Sequence, residues 1–173
     1  MRYGIALDIG TSGLRCQALE LDTGRTVGTA ITERHPIPGM NVIDHVNFVI
    51  KSGEDVAHGL IIETANRLFS QLGIDLSCVE KVGVCGNPFQ LSLFQNIEIR
   101  DLAYAGKNMI KSLGITPPKR DGDIVSAASI GLEGMPNATV TIPPAVRHEI
   151  GADAIGMMML TGILDEKEPC IVV

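Results

Sequence analysis

The stretch Tyr3-Gly4-Ile5-Ala6-Leu7-Asp8-Ile9-Gly10-Thr11-Ser12-Gly13-Leu14-Arg15 decides how the rest of the chain is read. From Tyr3 to Ile9 both alternating faces are mostly apolar, a pattern that suits a strand covered on two sides. Asp8 then stands at the end of a buried strand, and a turn of small and hydroxyl residues follows it. Gly10 and Gly13 leave room for positive φ and for close approach of an anion to the backbone, while Thr11 and Ser12 add hydroxyl donors to the amides between them. The apolar pattern resumes at Leu14, Cys16, Ala18, Leu19 and Leu21, so the chain returns antiparallel. A phosphate at such a hairpin meets donors, and Asp8 can hold a magnesium ion through water. A plain hairpin turn, with Asp8 as its initiating residue, accounts for the same letters.

Working outward, Asp22-Thr23-Gly24 marks a second hairpin tip, and strands are expected over 3–9, 14–21 and 25–31 as a meander. Neither Gly-x-x-x-x-Gly-Lys-Ser/Thr nor Gly-x-Gly-x-x-Gly occurs, which excludes a Walker loop and a Rossmann fingerprint. Arg34-His35-Pro36-Ile37-Pro38-Gly39 breaks regular structure, and 40–51 reads as a short strand or an irregular extension in which His45 and Asn47 are polar loop residues. Ser52-Gly53-Glu54-Asp55 has the form of a capping box. Val56, Ala57, Leu60, Ile61, Ala65, Leu68, Phe69 and Leu72 continue it at helical spacing to a stop at Gly73. His58 lies beside that stripe and reads as structural.

Lys81-Val82-Gly83-Val84-Cys85 is a short buried strand, parallel to the first across the intervening helix. Gly86-Asn87-Pro88 closes it and opens a helix, with Asn as cap and Pro at the first helical position. Such a switch places amides and a side chain at a sheet's carboxyl edge, where ligands of open α/β sheets bind; a plain cap is the other reading. A helix is expected over 101–113, loop over 116–123, and either helix or strand over 124–130. A strand follows over 138–142, ended by Pro143-Pro144, then a Met-rich helix over 152–164 with Met157 to Met159 as core filling, and an apolar strand over 169–173.

With 173 residues the chain has room for one domain with a sizeable core. Hydrophobic residues are 45% and charged residues 20%, as in globular folded chains. The net charge of −6 and the lack of clustering among 14 basic residues argue against a nucleic-acid partner. No apolar run approaches the ~20 residues of a membrane span, and the N-terminus enters a strand without a secretory pattern. Cys16, Cys78, Cys85 and Cys170 are widely spaced and form neither a zinc nor an iron–sulfur pattern, so they read as reduced, mostly buried thiols of a cytoplasmic protein. Aromatics are 3% without Trp, which leaves an aliphatic, Met-filled core.

Asp8-x-Gly10-Thr11-Ser12-x-x-Arg15 at the start of a chain, followed by a meander, resembles the first phosphate motif of the actin, sugar-kinase and heat-shock-chaperone ATPase superfamily. Together with Gly86-Asn87, Pro143-Pro144 and Glu149-Ile150-Gly151-Ala152-Asp153 before an aliphatic helix, the chain resembles the ATPase domain of the corrinoid-protein reductive activators and the related methanogenesis marker family. Those proteins use ATP hydrolysis to help an iron–sulfur centre deliver a low-potential electron to an inactive cobalt(II) corrinoid protein.

The resemblance implies an α/β, ribonuclease-H-like (actin-like ATPase) lobe with a mixed five-stranded sheet of order 3-2-1-4-5 and helices on both faces. It implies ATP and Mg2+ as ligands, with Asp8 placing the metal and Gly10, Thr11, Ser12, Gly13, Arg15, Gly86 and Asn87 around the nucleotide. Asp153 orients the attacking water on the same reading. An iron–sulfur cluster is not expected within this chain. The second phosphate motif is also missing, so 1–173 reads as the first half of a two-lobed ATPase, with the second lobe in cis or in trans, or with self-association across the open cleft. The implied partner is a corrinoid protein. A small-molecule or sugar kinase of the same superfamily and a non-catalytic partner-binding module are the competing readings.

Overall fold

The computed structural model describes residues 1–104, 107–145 and 151–171. β1 (Tyr3–Gly10), β2 (Gly13–Glu20) and β3 (Thr26–Ile31) form the antiparallel meander. α1 (Val42–Ser52) and α2 (Glu54–Ser70) follow, then a 3-10 turn (Leu76–Cys78), β4 (Val79–Gly86) and α3 (Pro88–Phe94). Next come α4 (Arg100–Ala103), α5 (Lys107–Ser112), β5 (Asp123–Ser126), α6 (Ala127–Ile130) and β6 (Thr139–Ile142). α7 (Ala152–Thr161) runs into a second 3-10 turn (Ile163–Asp165).

The sheet among the described residues has six strands in the order β3-β2-β1-β4-β6-β5. β4 runs parallel to β1 and to β6, whereas β5 joins β6 antiparallel at the edge. The expected five-stranded sheet of order 3-2-1-4-5 is therefore corrected to six, because 123–126 is a strand. Its two pairings place β1 in the sheet interior.

Burial along β1 is one-sided. Ile5, Leu7 and Ile9 are at most 3% exposed, while Ala6 is exposed and Asp8 half-buried, so the expected cover on both faces is not complete. The buried face joins Phe69 of α2 and Leu91 and Phe94 of α3 in one aliphatic core. Burying that set is the main driving force of the fold, at roughly 1.5–3 kcal/mol for each large side chain. α7 lies against β4 on the opposite face, where a Cβ on Gly156 would stand 3.7 Å from Cys85 Sγ.

Local chemistry explains where the expectations fail. Residues 42–52 are helix, because the Asn41 side chain accepts from the Asp44 amide at 3.0 Å and caps α1. Ser52 is the last residue of α1, so its capping box does not form; α2 starts instead from Gly53 at φ 94°, without a side-chain cap. His45 is a fully buried α1 residue and not a loop residue.

The expected helix over 101–113 is two short ones, α4 and α5. Asp101 turns inward there: Arg120 grips its carboxylate with Nη1 at 2.7 Å and Nη2 at 2.8 Å, and also donates to Ser92 Oγ and the Glu98 carbonyl. This buried pair ties the 114–122 loop to α3 and α4. The helix over 152–164 ends at Thr161 because Gly162 turns left-handed at φ 69°. Met157 and Met159 are 47% and 69% exposed, which corrects the core-filling reading. Of the cysteines, Cys16 is buried, Cys78 and Cys85 are intermediate and Cys170 is exposed. Residues 169–171 form no strand; 172 and 173 lie outside the described residues, as do Glu149 and Ile150. No helix among the described residues is long and apolar enough to cross a membrane.

Candidate functional site

The carboxyl ends of β1 and β4 lie side by side, with Asp8 opposite Cys85 and Ile9 opposite Gly86. The chain leaves β1 through the two-residue turn Thr11-Ser12, with Gly10 facing Gly13 across the ladder. Gly13 is required by contact: a Cβ there would stand 2.6 Å from Thr32 Oγ1, whose hydroxyl accepts from the Leu14 amide at 2.9 Å. Gly10 does not adopt the positive φ expected of it, and what its missing side chain leaves free is the space beside Arg15 Nη1 and Asp8 Oδ2.

β4 ends in Gly86, where a Cβ would meet the Ile9 carbonyl at 2.9 Å, so the two strand ends close up tightly. Asn87 then does two things at once. Its Oδ1 accepts from the Gln90 amide at 3.0 Å and caps α3, and its Nδ2 donates to Thr11 Oγ1 at 3.4 Å. The hairpin and the start of α3 are thus joined by a side chain 76 positions away in sequence.

α7 closes the other side. Gly151, its cap residue, has no space for a Cβ, which would stand 2.7 Å from Pro88 Cδ and 2.9 Å from Asn87 Cα. Asp153 sits in the first turn of α7 and accepts from the Ala154 amide at 2.9 Å. Burial pushes the Cys85 thiol up, and the negative charges of Asp8 and Asp153 push it the same way. Asp8 pairs with Cys85 across the strands, and Asp153 lies on the helix whose Gly156 packs on Cys85, so elements far apart in sequence meet on one part of the sheet face. Carboxylate and hydroxyl oxygens are donors of the kind a hard cation takes, although no three or more His, Cys, Asp or Glu side chains among the described residues form a metal-holding cluster.

Arg15 is already engaged: its Nη1 lies 3.2 Å from Asp8 Oδ2, with both side chains about half exposed. The structure thus brings together Asp8, Gly10, Thr11, Ser12, Gly13, Arg15, Gly86 and Asn87, with the α7 start that carries Asp153 packed on Asn87 and Pro88.

Sequence reasoning missed the floor beneath them. His35 and His45 stack with centroids 4.3 Å apart, and Gln90 Nε2 lies 3.0 Å from His45 Nδ1. His35 Nδ1 accepts from the Ile37 amide at 3.1 Å, so the neutral ring carries its proton on Nε2. That Nε2, His45 Nε2 and Gln90 Oε1 are buried without a protein partner. Two donors and an acceptor left over in this way match the needs of one bridging water. Burial, with the second imidazole beside it, lowers the His35 pKa to about 4. The signal that could have located this floor was the pairing of two histidines across a Pro-rich loop and a helix, visible only once 42–52 is read as helix. His58, by contrast, is structural, with Nδ1 3.1 Å from the Leu93 carbonyl.

A cleft of about 610 Å³ opens beside the hairpin, lined by Thr11, Ser12, Arg34, His35, Ile37 and Met40 among others. A smaller one of about 240 Å³ borders Asn87 and Pro88.

Comparison with known proteins relates the chain to others. Over 171 residues the chain is 56% identical to the "[Co(II) methylated amine-specific corrinoid protein] reductase" of Methanosarcina barkeri, covering 98% of this chain and 32% of that protein. Among solved structures it is similar to a "Reductive activator for corrinoid,iron-sulfur protein", with a TM-score of 0.79 and 26% identity over 96% of this chain and 26% of that one. The chain thus spans about a third of the curated relative's length. A family described as "RACo middle region" matches residues 3–166, and the chain belongs to that family.

Proposed function

We propose that this chain is the ATP-binding lobe of an ATP-dependent reductive activator of a corrinoid protein, built as a ribonuclease-H-like, actin-type lobe. The observation that carries the proposal is the meeting of Asp8, the Thr11-Ser12 turn and Asn87 at the carboxyl ends of β1 and β4, with the start of α7 packed on Asn87 and Pro88. Its context is a family whose relatives are named as corrinoid-protein reductases and activators.

On this reading the amides and hydroxyls of the 10–13 turn receive the phosphates of ATP. Asn87, fixed by the cap of α3, holds Thr11 in place, and Gly86 permits the close approach of the two strand ends. Asp8 and Asp153 would hold Mg2+, which would supply charge neutralisation for the phosphates. To do so Asp8 exchanges its partner Arg15, a half-exposed pair whose release costs about 1 kcal/mol or less. Asp153, at the start of α7, would orient an attacking water by hydrogen bonding. Phosphoryl transfer to water needs this positioning and electrostatic preorganisation more than covalent chemistry. The second wall of the nucleotide site comes from another lobe, in cis or in trans. The corrinoid protein is the recipient of the electron whose transfer ATP hydrolysis assists.

The test is calorimetric titration with Mg-ATP together with ATP turnover in the presence of a corrinoid protein in the cobalt(II) state. Asp8→Asn keeps shape and removes charge, so turnover should fall by two orders of magnitude or more, roughly 3 kcal/mol of barrier, with the melting temperature unchanged. Near-normal turnover in Asp8→Asn would reduce Asp8 to a turn residue. A phosphorylated small molecule as product would favour the kinase reading instead.

A further inference from the structure

We infer that Arg34, and not Arg15, is the cation that meets the terminal phosphate of a nucleotide held at the 10–13 hairpin; this rests on the ATP reading above. The sequence motif draws attention to Arg15, but Arg15, paired with Asp8 at 3.2 Å until a metal displaces it, is not among the residues that line the cleft beside the Thr11-Ser12 turn. Arg34 is exposed, makes no ion pair with any described residue, and lines the 610 Å³ cleft together with Thr11 and Ser12. It also borders a neighbouring cleft that contains Glu63, but that carboxylate accepts from Arg67 at 2.8 Å. In a chain of net charge −6, a guanidinium without an ion pair among the described residues stands beside a turn of hydroxyls and amides, with the Glu33 carboxylate next to it in sequence.

The backbone on both sides of Arg34 is held while its side chain is free. Upstream, Thr32 bonds Leu14 across the ladder, and the Arg34 carbonyl carbon would lie 3.5 Å from a Cβ on Gly13. Downstream, His35 is wedged against His45, and its ring accepts from the amide of fully buried Ile37. A guanidinium on a backbone held in this way can reach a bound anion without rearrangement of the chain, and its planar fork matches phosphoryl oxygens in a bidentate manner. The cleft is also within the ~300–1,000 Å³ range of small-molecule sites. Ile37, Pro38 and Met40 add apolar surface to the same cleft.

The experiment is isothermal titration of Mg-ATP, Mg-ADP, inorganic tripolyphosphate and adenosine into the full-length protein and its Arg34→Ala, Arg34→Lys and Arg15→Ala variants. Thermal melts serve as the fold control. Arg34→Ala should raise the Kd for Mg-ATP and for tripolyphosphate about ten- to hundredfold, the scale of a lost charge-assisted contact. Mg-ADP and adenosine should change by no more than about threefold. Arg34→Lys should recover part of the loss, Arg15→Ala should weaken ATP less than Arg34→Ala does, and no Arg34 variant should shift the melt.

Unchanged ATP affinity in Arg34→Ala would overturn the inference while leaving the ATP reading intact. Equal losses for ATP and ADP, or a larger loss in Arg15→Ala, would do the same. A wild-type protein that binds neither Mg-ATP nor tripolyphosphate would sink both.

Discussion

Asn87 offers a way to separate a helix cap from a ligand-positioning residue, because its two side-chain atoms serve different partners. Oδ1 holds the Gln90 amide at 3.0 Å and Nδ2 reaches Thr11 Oγ1 at 3.4 Å. Asn87→Ala removes both. Every residue of α3 is buried, so loss of the cap should cost about 1–2 kcal/mol, or about 2–8 °C in melting temperature for a chain of this size. Asn87→Asp keeps the acceptor, caps as well as Asn, and gains slightly from the helix dipole, so it should melt within about 2 °C of the parent. It loses the donor to Thr11, however, and places a carboxylate beside the turn. At roughly 6 Å and an effective dielectric near 20, each unit of phosphate charge is opposed by about 1–3 kcal/mol once partial exposure is allowed for. Mg-ATP affinity should therefore fall about ten- to hundredfold in a protein of normal stability. Differential scanning fluorimetry and calorimetric titration on the same preparations read both quantities. If Asn87→Asp binds Mg-ATP like the parent, Asn87 is a cap and nothing more.

Two further outcomes follow from buried polar groups. Arg120→Ala strands the Asp101 carboxylate, whose side chain is 2% exposed, and should cost about 3–5 kcal/mol in chemical denaturation, whereas replacing both partners by Met and Leu should recover most of that; a loss below about 1 kcal/mol for Arg120→Ala would show the pair to be dispensable. The His35 imidazole, held down to about 4 by burial, stays neutral in the native state while the unfolded chain takes up its proton below about 6.5. Stability from this group is complete above that pH and is lost as pH falls toward 4, by about 2 kcal/mol at pH 5. His45 is shifted in the same direction, with Asp44 opposing its shift. Urea midpoints at pH 7 and pH 5 should diverge in the parent and diverge less in His35→Asn, where His45 still contributes; parallel behaviour of the two proteins would refute the assignment.

The elements that could be read from the chain alone are those whose signal is local. The Gly-rich turn, the Gly24 hairpin tip, the stripe of α2 and the Asn87-Pro88 start of α3 each carry their cause within a few residues. Helix α1 was not legible because Val42, Ile43, Val46, Val49 and Ile50 carry β-branched side chains that suggest extended chain. What makes them helical is the Asn41 cap together with the burial of His45 and Val49. Strand β5 has only four residues and exists because β6 supplies its ladder, a partner that no window around 123–126 contains. In the site, Asp8 and the turn announce themselves, but the Asn87–Thr11 bond, the packing of Gly151 on Pro88 and the stacked histidines are long-range events. Met157 and Met159 were misjudged for a related reason: composition makes a helix apolar, while only its neighbours decide which side is covered.

The alternation along β1 divides labour between neighbouring residues. Ile5, Leu7 and Ile9 face the core, and Ala6, Asp8 and Gly10 alternate with them on the face where we propose that the nucleotide binds, on one strand in the sheet interior. Substitutions at the first set should report in the cell as lost abundance, and substitutions at the second as normal amounts of an impaired protein. A saturation library over 3–10, sorted once for expression and once for activity, would resolve into two interleaved combs with a period of two. In such a strand selection can retune the site without disturbing the scaffold that carries it.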